Sequence, residues 1–99
     1  MIQLFDFYED PGHGWVKVPK NLLGELGIAD KITPFSYERG QYAYLEEDCD
    51  MTTFIQALQQ RNIKPEFRTH ISRNRDSRIR SYAHYNAGAV AYHLASRGF

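Results

Sequence analysis

The sequence predicts a small α+β domain with a mainly antiparallel curved sheet and two or three short helices. Ninety-nine residues, of which 42% are hydrophobic, can form one core but not a two-lobed enzyme with a deep cleft. Short aromatic-rich runs separated by turn residues indicate strands, whereas one apolar stripe in residues 51–58 has helical spacing. We expect residues 1–82 to form the core domain and residues 83–99 a C-terminal tail that is helical or flexible.

The first predicted elements are a strand hairpin and a short helix. Residues 2–8 and 15–18 have the composition of strands, and a Pro-Gly turn joins them. Pro19 suits the first position of a helix because its missing N–H is not needed there. Gly27 is expected to end this helix in the left-handed conformation, with Ile28 packing back against the last turn.

Two further strands are predicted at residues 32–37 and 41–45. Gly40 supplies the left-handed residue of the turn between them. Because side chains alternate along a strand, the second of these strands presents tyrosines on one face and apolar residues on the other. Tyr42 and Tyr44 share the first face, and Ala43 and Leu45 share the second.

The longest helix is predicted to begin at Asp50, whose carboxylate can cap the first turn. Its apolar residues recur at helical spacing and define one buried stripe. Asn62 is expected to end the helix in the left-handed conformation, and Pro65 prevents its continuation. The stripe consists of Met51, Phe54, Ile55 and Leu58.

The C-terminal part is predicted to contain strands at residues 67–71 and 79–82, separated by a polar loop at residues 72–77. Asn86 then begins a stretch rich in alanine. Asn86 can cap a helix that Gly98 would end, but such small side chains bury little apolar surface unless the helix docks. A docked helix, a flexible tail and a partner-binding segment all stay open.

The net charge of zero conceals an uneven distribution of charge. Residues 1–60 carry ten acids and four bases, whereas residues 61–99 carry eight bases and two acids. These groups either pair within the fold or form two surfaces of opposite potential that suit charged partners. An acidic site for a protein partner would comprise Glu46, Glu47, Asp48 and Asp50 with Tyr42 and Tyr44, joined by Asp6, Glu9 and Asp10. A basic site for nucleic acid would comprise Arg68, Arg73, Arg75, Arg78 and Arg80.

No pattern predicts catalysis, a metal site or a cofactor. The four histidines lack the paired spacing of zinc ligands, and a single cysteine, Cys49, excludes an intramolecular disulfide. The acids around Cys49 should raise its thiol pKa and suppress the nucleophilic thiolate. The chain also lacks the features of a signal peptide and an apolar run of the roughly 20 residues that cross a bilayer. We therefore predict a non-enzymatic protein of the reducing cytoplasm.

The segment Val18-Pro19-Lys20 to Leu26-Gly27-Ile28 resembles the AbrB/MazE swapped-hairpin family. In that family a strand, a short helix and a strand hairpin follow in this order, two chains interlock, and basic residues around the first strand contact DNA. The resemblance covers about a third of the chain and implies a homodimer. At the corresponding places this chain has Asp6, Glu9 and Asp10, and carboxylates repel phosphates. DNA binding through this element is therefore not expected.

A second pattern resembles a group of short phage- and plasmid-encoded proteins without an established activity. It joins Gly12-His13-Gly14-Trp15, Tyr44-Leu45-Glu46-Glu47-Asp48 and Arg78-Ile79-Arg80-Ser81-Tyr82. Accessory proteins of mobile elements often inhibit host defence, so the resemblance implies a host protein as partner. We predict a binding protein that occludes a functional surface of that partner through the acidic site. The alternative is a nucleic-acid-binding regulator that uses the arginines, or an antitoxin-like partner of a toxin.

Overall fold

The computed structural model describes residues 1–96 and confirms the predicted α+β class. Its strands are β1 (Ile2–Glu9), β2 (Gly14–Pro19), β3 (Tyr37–Arg39), β4 (Tyr42–Glu46), β5 (Lys64–Ile71) and β6 (Ala83–His84), and its helices are α1 (Lys20–Glu25), α2 (Met51–Gln60) and α3 (Ala87–Ser96). The strands form one sheet in the order β5-β1-β2-β4-β3-β6. Every neighbouring pair is antiparallel except β1 and β5, which run parallel.

The three helices pack on one face of the sheet and form the main core with it. Alternate side chains of the central strands point to this face, as their period of two requires. Phe5, Val16 and Leu45 of the sheet belong to one buried cluster with Phe54 of α2 and Leu94 of α3. The other face of the sheet, which we call the second face, carries a smaller cluster around Trp15, Tyr44 and Ile79.

The two predicted left-handed helix ends are confirmed. Gly27 has a φ of +73° and follows α1, where the N–H of Ile28 donates to the carbonyl of Leu23. Asn62 has a φ of +58° and follows α2 with the same pattern of hydrogen bonds. In both cases two carbonyls of the last turn gain donors, which stabilises the helix end. Pro19 ends β2 and immediately precedes α1, so the helix begins one residue later than predicted.

The strand predicted at residues 32–37 is wrong for most of its length. A short 3-10 helix, Ala29–Lys31, comes first, and β3 begins only at Tyr37. Residues 32–36 lie between these two elements and are not part of a strand. Two of them, Thr33 and Ser36, donate hydrogen bonds to the side chain of Asp50. The turn at Gly40 indicated a hairpin with a strand at residues 32–37, but residues 33 and 36 make long-range polar contacts instead.

The strand predicted at residues 79–82 is also wrong. A 3-10 helix, Arg78–Ser81, takes its place, and the short strand β6 follows it. The Ser77 hydroxyl caps this helix by accepting from the N–H of Ile79. Ile79 is only 2% exposed, because its side chain anchors the helix on the second face of the sheet.

The alanine-rich C-terminal segment is a docked helix in its described part. The Asn86 side chain caps α3 by accepting from the N–H of Ala89, as predicted. Val90 and Leu94 are buried in the main core, and the Tyr85 hydroxyl donates to the carbonyl of Ala29. Residues 83–96 therefore share the core of residues 1–82, while the helix end predicted at Gly98 lies outside the described residues. No helix within residues 1–96 has the length and apolarity needed to cross a membrane.

Candidate functional site

The second face of the sheet is partly covered by a segment of irregular backbone. Residues 72–82, which we call the crossing segment, contain the 3-10 helix and pack Ile79 and Tyr82 against Tyr44 and Trp15. No α-helix belongs to this cluster in the described part of the chain. The crossing segment leaves two clefts against the sheet, and both are lined by aromatic and charged side chains.

Asp10 fastens the crossing segment to the β1–β2 turn. Its carboxylate accepts two hydrogen bonds from Arg80, at 2.7 and 2.8 Å, and one from the N–H of Ser77 at 2.9 Å. The N–H groups of Gly12 and His13 donate to the same carboxylate at 3.0 Å. The hydrogen bond from Arg80, followed by those from the backbone, holds the pKa of Asp10 well below its usual range in spite of burial.

The larger cleft, which we call the arginine cleft, has a volume of about 650 Å³. Its aromatic lining comes from two tyrosines of the second face and one of the crossing segment, and its charge comes mainly from three cations. Burial raises the pKa of Tyr44 to about 12, so its hydroxyl stays protonated and uncharged at neutral pH. The tyrosines are Tyr8, Tyr44 and Tyr82, and the cations are Lys17, Arg75 and Arg78, with Asp76 as the one acid in the lining.

The smaller cleft, which we call the tryptophan cleft, has a volume of about 290 Å³. Its mainly aromatic walls include Trp15, Phe35 and Tyr37, and the Tyr37 ring stacks on His84 at a centroid distance of 4.8 Å. Glu46 also lines this cleft, and its carboxylate lies 3.3 Å from Nδ1 of His13. The cleft therefore combines ring faces with a carboxylate.

The structure does not bring the four acids and two tyrosines of the predicted acidic site together on one exposed surface, and Asp10, which was expected to join them, is only 5% exposed. Asp50 is only 1% exposed and Glu46 6%, so the expected exposure of these two acids is wrong. Asp50 occupies the N-cap position of α2 but makes no side-chain cap; its carboxylate binds Thr33 and Ser36 instead. The remaining members divide by exposure: Glu47, Asp48 and Tyr42 are exposed, whereas Tyr44 is buried.

The predicted arginine site is divided in a similar way. Arg68 donates to Asp6 at 2.7 Å and Arg80 is held by Asp10, so these two arginines pair with acids of the first half of the chain. Asp6 also accepts from His70, and the two partners lower the pKa of Asp6 to about 2. Three arginines remain exposed, and their guanidinium groups have no partner among residues 1–96: Arg73, Arg75 and Arg78.

The described residues offer no arrangement suited to metal-dependent or cysteine-dependent chemistry. Among the side chains that the structure describes, which do not include that of His93, no group of three or more His, Cys, Asp and Glu could hold a metal ion. Cys49 is exposed, and desolvation together with Glu46, Asp50 and Asp48 raises the pKa of its thiol. A thiol with a raised pKa is a poor nucleophile at neutral pH.

Sequence reasoning missed the role of Asp10 in holding the crossing segment. The Asp10-Pro11-Gly12 sequence is a recognisable turn signal in which an aspartate bonds to nearby backbone N–H groups. The pairing of Asp10 with Arg80 had no local signal, because the two residues are 70 positions apart.

Comparison with known proteins adds no assignment, since no protein-family model, curated protein or solved structure matches this chain.

Proposed function

We propose that this protein is a non-enzymatic binding protein that engages single-stranded nucleic acid along the second face of its sheet. The arginine cleft is the observation that carries this proposal. It places unpaired guanidinium groups of Arg75 and Arg78 beside three tyrosine rings. Proteins that bind single strands combine cations that follow the phosphates with aromatic rings on which bases stack.

The aromatic and cationic groups continue beyond the cleft along the same face. Lys17 lies over the ring of Tyr42 at 4.2 Å from its centroid, and Arg39 lies over the ring of Tyr82 at 5.1 Å. Tyr42 is 39% exposed, so one face of a base can reach it. This arrangement suits an extended strand better than a duplex, because stacking requires unpaired bases.

Removing the two cleft arginines should weaken binding strongly. We expect Arg75→Ala with Arg78→Ala to reduce the affinity for a fluorescent single-stranded oligonucleotide by at least about tenfold at low salt. The slope of log affinity against log salt should fall by roughly 1.4, since each lost phosphate contact contributes about 0.7 for a single strand. Fluorescence anisotropy over a salt series measures both quantities.

A matched control removes the same charge from the opposite side of the sheet. Lys31→Ala with Arg61→Ala changes two exposed cations near the helices and should leave the affinity within about twofold of the original protein. Equal losses in both double variants would indicate an effect of net charge alone. A complete absence of binding to DNA or RNA at low salt would contradict the proposed function.

A second candidate function is binding to a basic surface of a host protein, as expected for an anti-defence protein of a mobile element acting in the cytoplasm. One observation favours it: Glu47 and Asp48 are adjacent and both exposed, and repulsion from Asp48, Glu9 and Glu46 adds to desolvation in raising the pKa of Glu47. Crowded acids of this kind gain from a cationic partner that relieves the repulsion. The contact set would be Glu9, Glu47 and Asp48.

Affinity capture from host extract, treated with nuclease, separates this candidate from the first. We expect Glu47→Ala with Asp48→Ala to lose a protein partner that the original chain retains, because the crowded carboxylates supply the attraction. Glu25→Ala with Asp30→Ala removes two exposed acids near the helices and should retain it. Retention of the same partner by both double variants would eliminate the acidic surface as the contact.

A further inference from the structure

The strand β5 is an edge of the sheet, and its outer backbone groups have no partner. β1 pairs with one side of β5, and no strand lies on the other side in the described part of the chain. The N–H groups of Lys64, which begins β5, and of Ser72, which follows it, both donate to carbonyls on the β1 side. Because backbone groups alternate along a strand, the N–H groups of Phe67, Thr69 and Ile71 point away from β1. A further strand can therefore pair with them.

Apolar side chains at this edge are exposed on the face of the sheet that carries the helices. Phe67 packs edge-on against Phe7 of the main core, with 6.4 Å between the ring centroids, and is still 37% exposed. Ile71 lies on the same face of β5 and is 52% exposed. β5 has eight residues, and a long edge strand with exposed apolar side chains pairs readily with another chain.

The charges of β5 are complementary to those of a second β5 in one antiparallel register. A two-fold axis at Phe67, perpendicular to the sheet, places Glu66 of each copy directly opposite Arg68 of the other. An axis at Glu66 or at Arg68 would instead place two like charges opposite each other. Glu66 is exposed and has no hydrogen bond or ion pair within the described part of the chain. Arg68 donates to Asp6 through Nε, and its side chain is 62% exposed, so its terminal N–H groups can reach the other copy.

The same register is favourable for the backbone and for the apolar side chains. Phe67 of each copy exchanges backbone hydrogen bonds with Phe67 of the other, and the two rings meet on the face that carries the helices. The N–H of Thr69 donates to the carbonyl of Pro65, whose missing N–H is tolerated because it lies on an outer edge. Ile71 lies opposite Ile63, which is half-buried against the main core.

We propose that two copies of this protein associate through antiparallel pairing of their β5 strands about a two-fold axis at Phe67. The two sheets then form one continuous sheet with the helices of both copies on one side. β5 lies outside residues 18–28, so this dimer differs from the interlocked dimer that the AbrB/MazE resemblance implies. It is also independent of the proposed binding to nucleic acid.

A charge exchange followed by sedimentation velocity of nuclease-treated protein tests the proposal. We expect the original protein to show a reversible equilibrium between monomer and dimer. Glu66→Arg alone and Arg68→Glu alone each place like charges opposite one another, so each should weaken self-association by at least about tenfold. An equimolar mixture of the two variants should regain the original affinity as a heterodimer, because both pairs of opposite charge are then present. A monomer at every concentration of the original protein up to about 1 mM would overturn the proposal.

Two further variants separate the β5 contact from effects of net charge and from misfolding. Glu25→Arg reverses an exposed charge that follows the first turn of α1 and should leave the dissociation constant within about twofold of the original. Thr69→Pro removes an N–H that the fold does not use and should weaken self-association even if Arg68→Glu fails to fold. A dimer that is equally stable in all these variants is not held by β5 and would overturn the proposal.

Cysteine cross-linking tests the register, with Cys49→Ser in every variant to remove the native thiol. A mixture of Glu66→Cys and Arg68→Cys should form a covalent dimer on mild oxidation. These residues form a non-hydrogen-bonded pair whose Cα atoms lie about 4.5 Å apart, within the range of a disulfide. Either variant alone should cross-link at least about tenfold more slowly, because its two cysteines are then out of register. Equal rates in the mixture and in the single variants would overturn the proposed pairing.

Discussion

Replacing Asp50 with alanine should lower the free energy of unfolding by about 3–5 kcal/mol. The buried carboxylate accepts from the N–H and hydroxyl of Thr33 and from the hydroxyl of Ser36. The substitution leaves the buried Ser36 hydroxyl and the half-buried N–H and hydroxyl of Thr33 without this acceptor. Urea unfolding followed by Trp15 fluorescence measures the loss of stability. The slope of the free energy of unfolding against urea concentration should be the same in the variant and in the original protein.

Asp48→Ala is the control for this substitution. Asp48 belongs to the same acidic run but is exposed, so its replacement should change the free energy of unfolding by less than about 0.5 kcal/mol. Similar small effects in both variants would show that Asp50 does not organise residues 32–36.

Replacing Asp10 with asparagine should destabilise the protein at neutral pH by about 2–3 kcal/mol and also flatten its response to acid. In the folded protein, Arg80 and three backbone N–H groups hold the pKa of Asp10 below the ordinary value of 3.8. A group whose pKa is lowered by folding stabilises the fold at pH values above its unfolded pKa. That contribution is lost as the pH falls below about 3.8 towards the folded value.

Urea unfolding at a series of pH values from 7 to 2.5 measures this effect. The free energy of unfolding of the original protein should fall steeply below about pH 4. That of Asp10→Asn should be lower at about pH 7 and should fall less as the pH decreases. Part of the slope should persist in the variant, because the pKa of Asp6 is also lowered, to about 2. Asp76→Asn is the matched control, since Asp76 is 77% exposed and 3.9 Å from Arg80. If the free energy of unfolding changes with pH in the same way for the original protein and Asp10→Asn, the Asp10 carboxylate does not have the stabilising role assigned to it.

The sequence was informative wherever a structure depends on nearby residues. The helix ends at Gly27 and Asn62 follow from backbone conformations that glycine and asparagine adopt readily, and both are present. The two faces of β4 follow from alternation: Ala43 and Leu45 enter the main core, while Tyr44 belongs to the cluster on the second face. Such rules require no knowledge of distant contacts.

Distant contacts explain what the sequence did not reveal. The burial of Asp50 depends on Thr33 and Ser36, which bend the chain back across the start of α2. Counting charges could not separate Arg80, which is held by Asp10, from Arg75, whose guanidinium is unpaired among residues 1–96. The sequence therefore predicted Arg75 and Arg78 as members of a basic site, but it assigned Tyr44 to the acidic site and did not predict the two clefts.

The parallel pairing of β1 with β5 determines how quickly this fold can assemble. Their side chains meet across 62 positions of sequence, as in the contact of Asp6 with Arg68. Closing so long a loop costs chain entropy before any contact compensates for it, so folding is expected on the order of milliseconds to seconds rather than microseconds. During synthesis β1 emerges long before β5, and in that interval the edge of β1 that later pairs with β5 exposes unpaired backbone N–H and C=O groups.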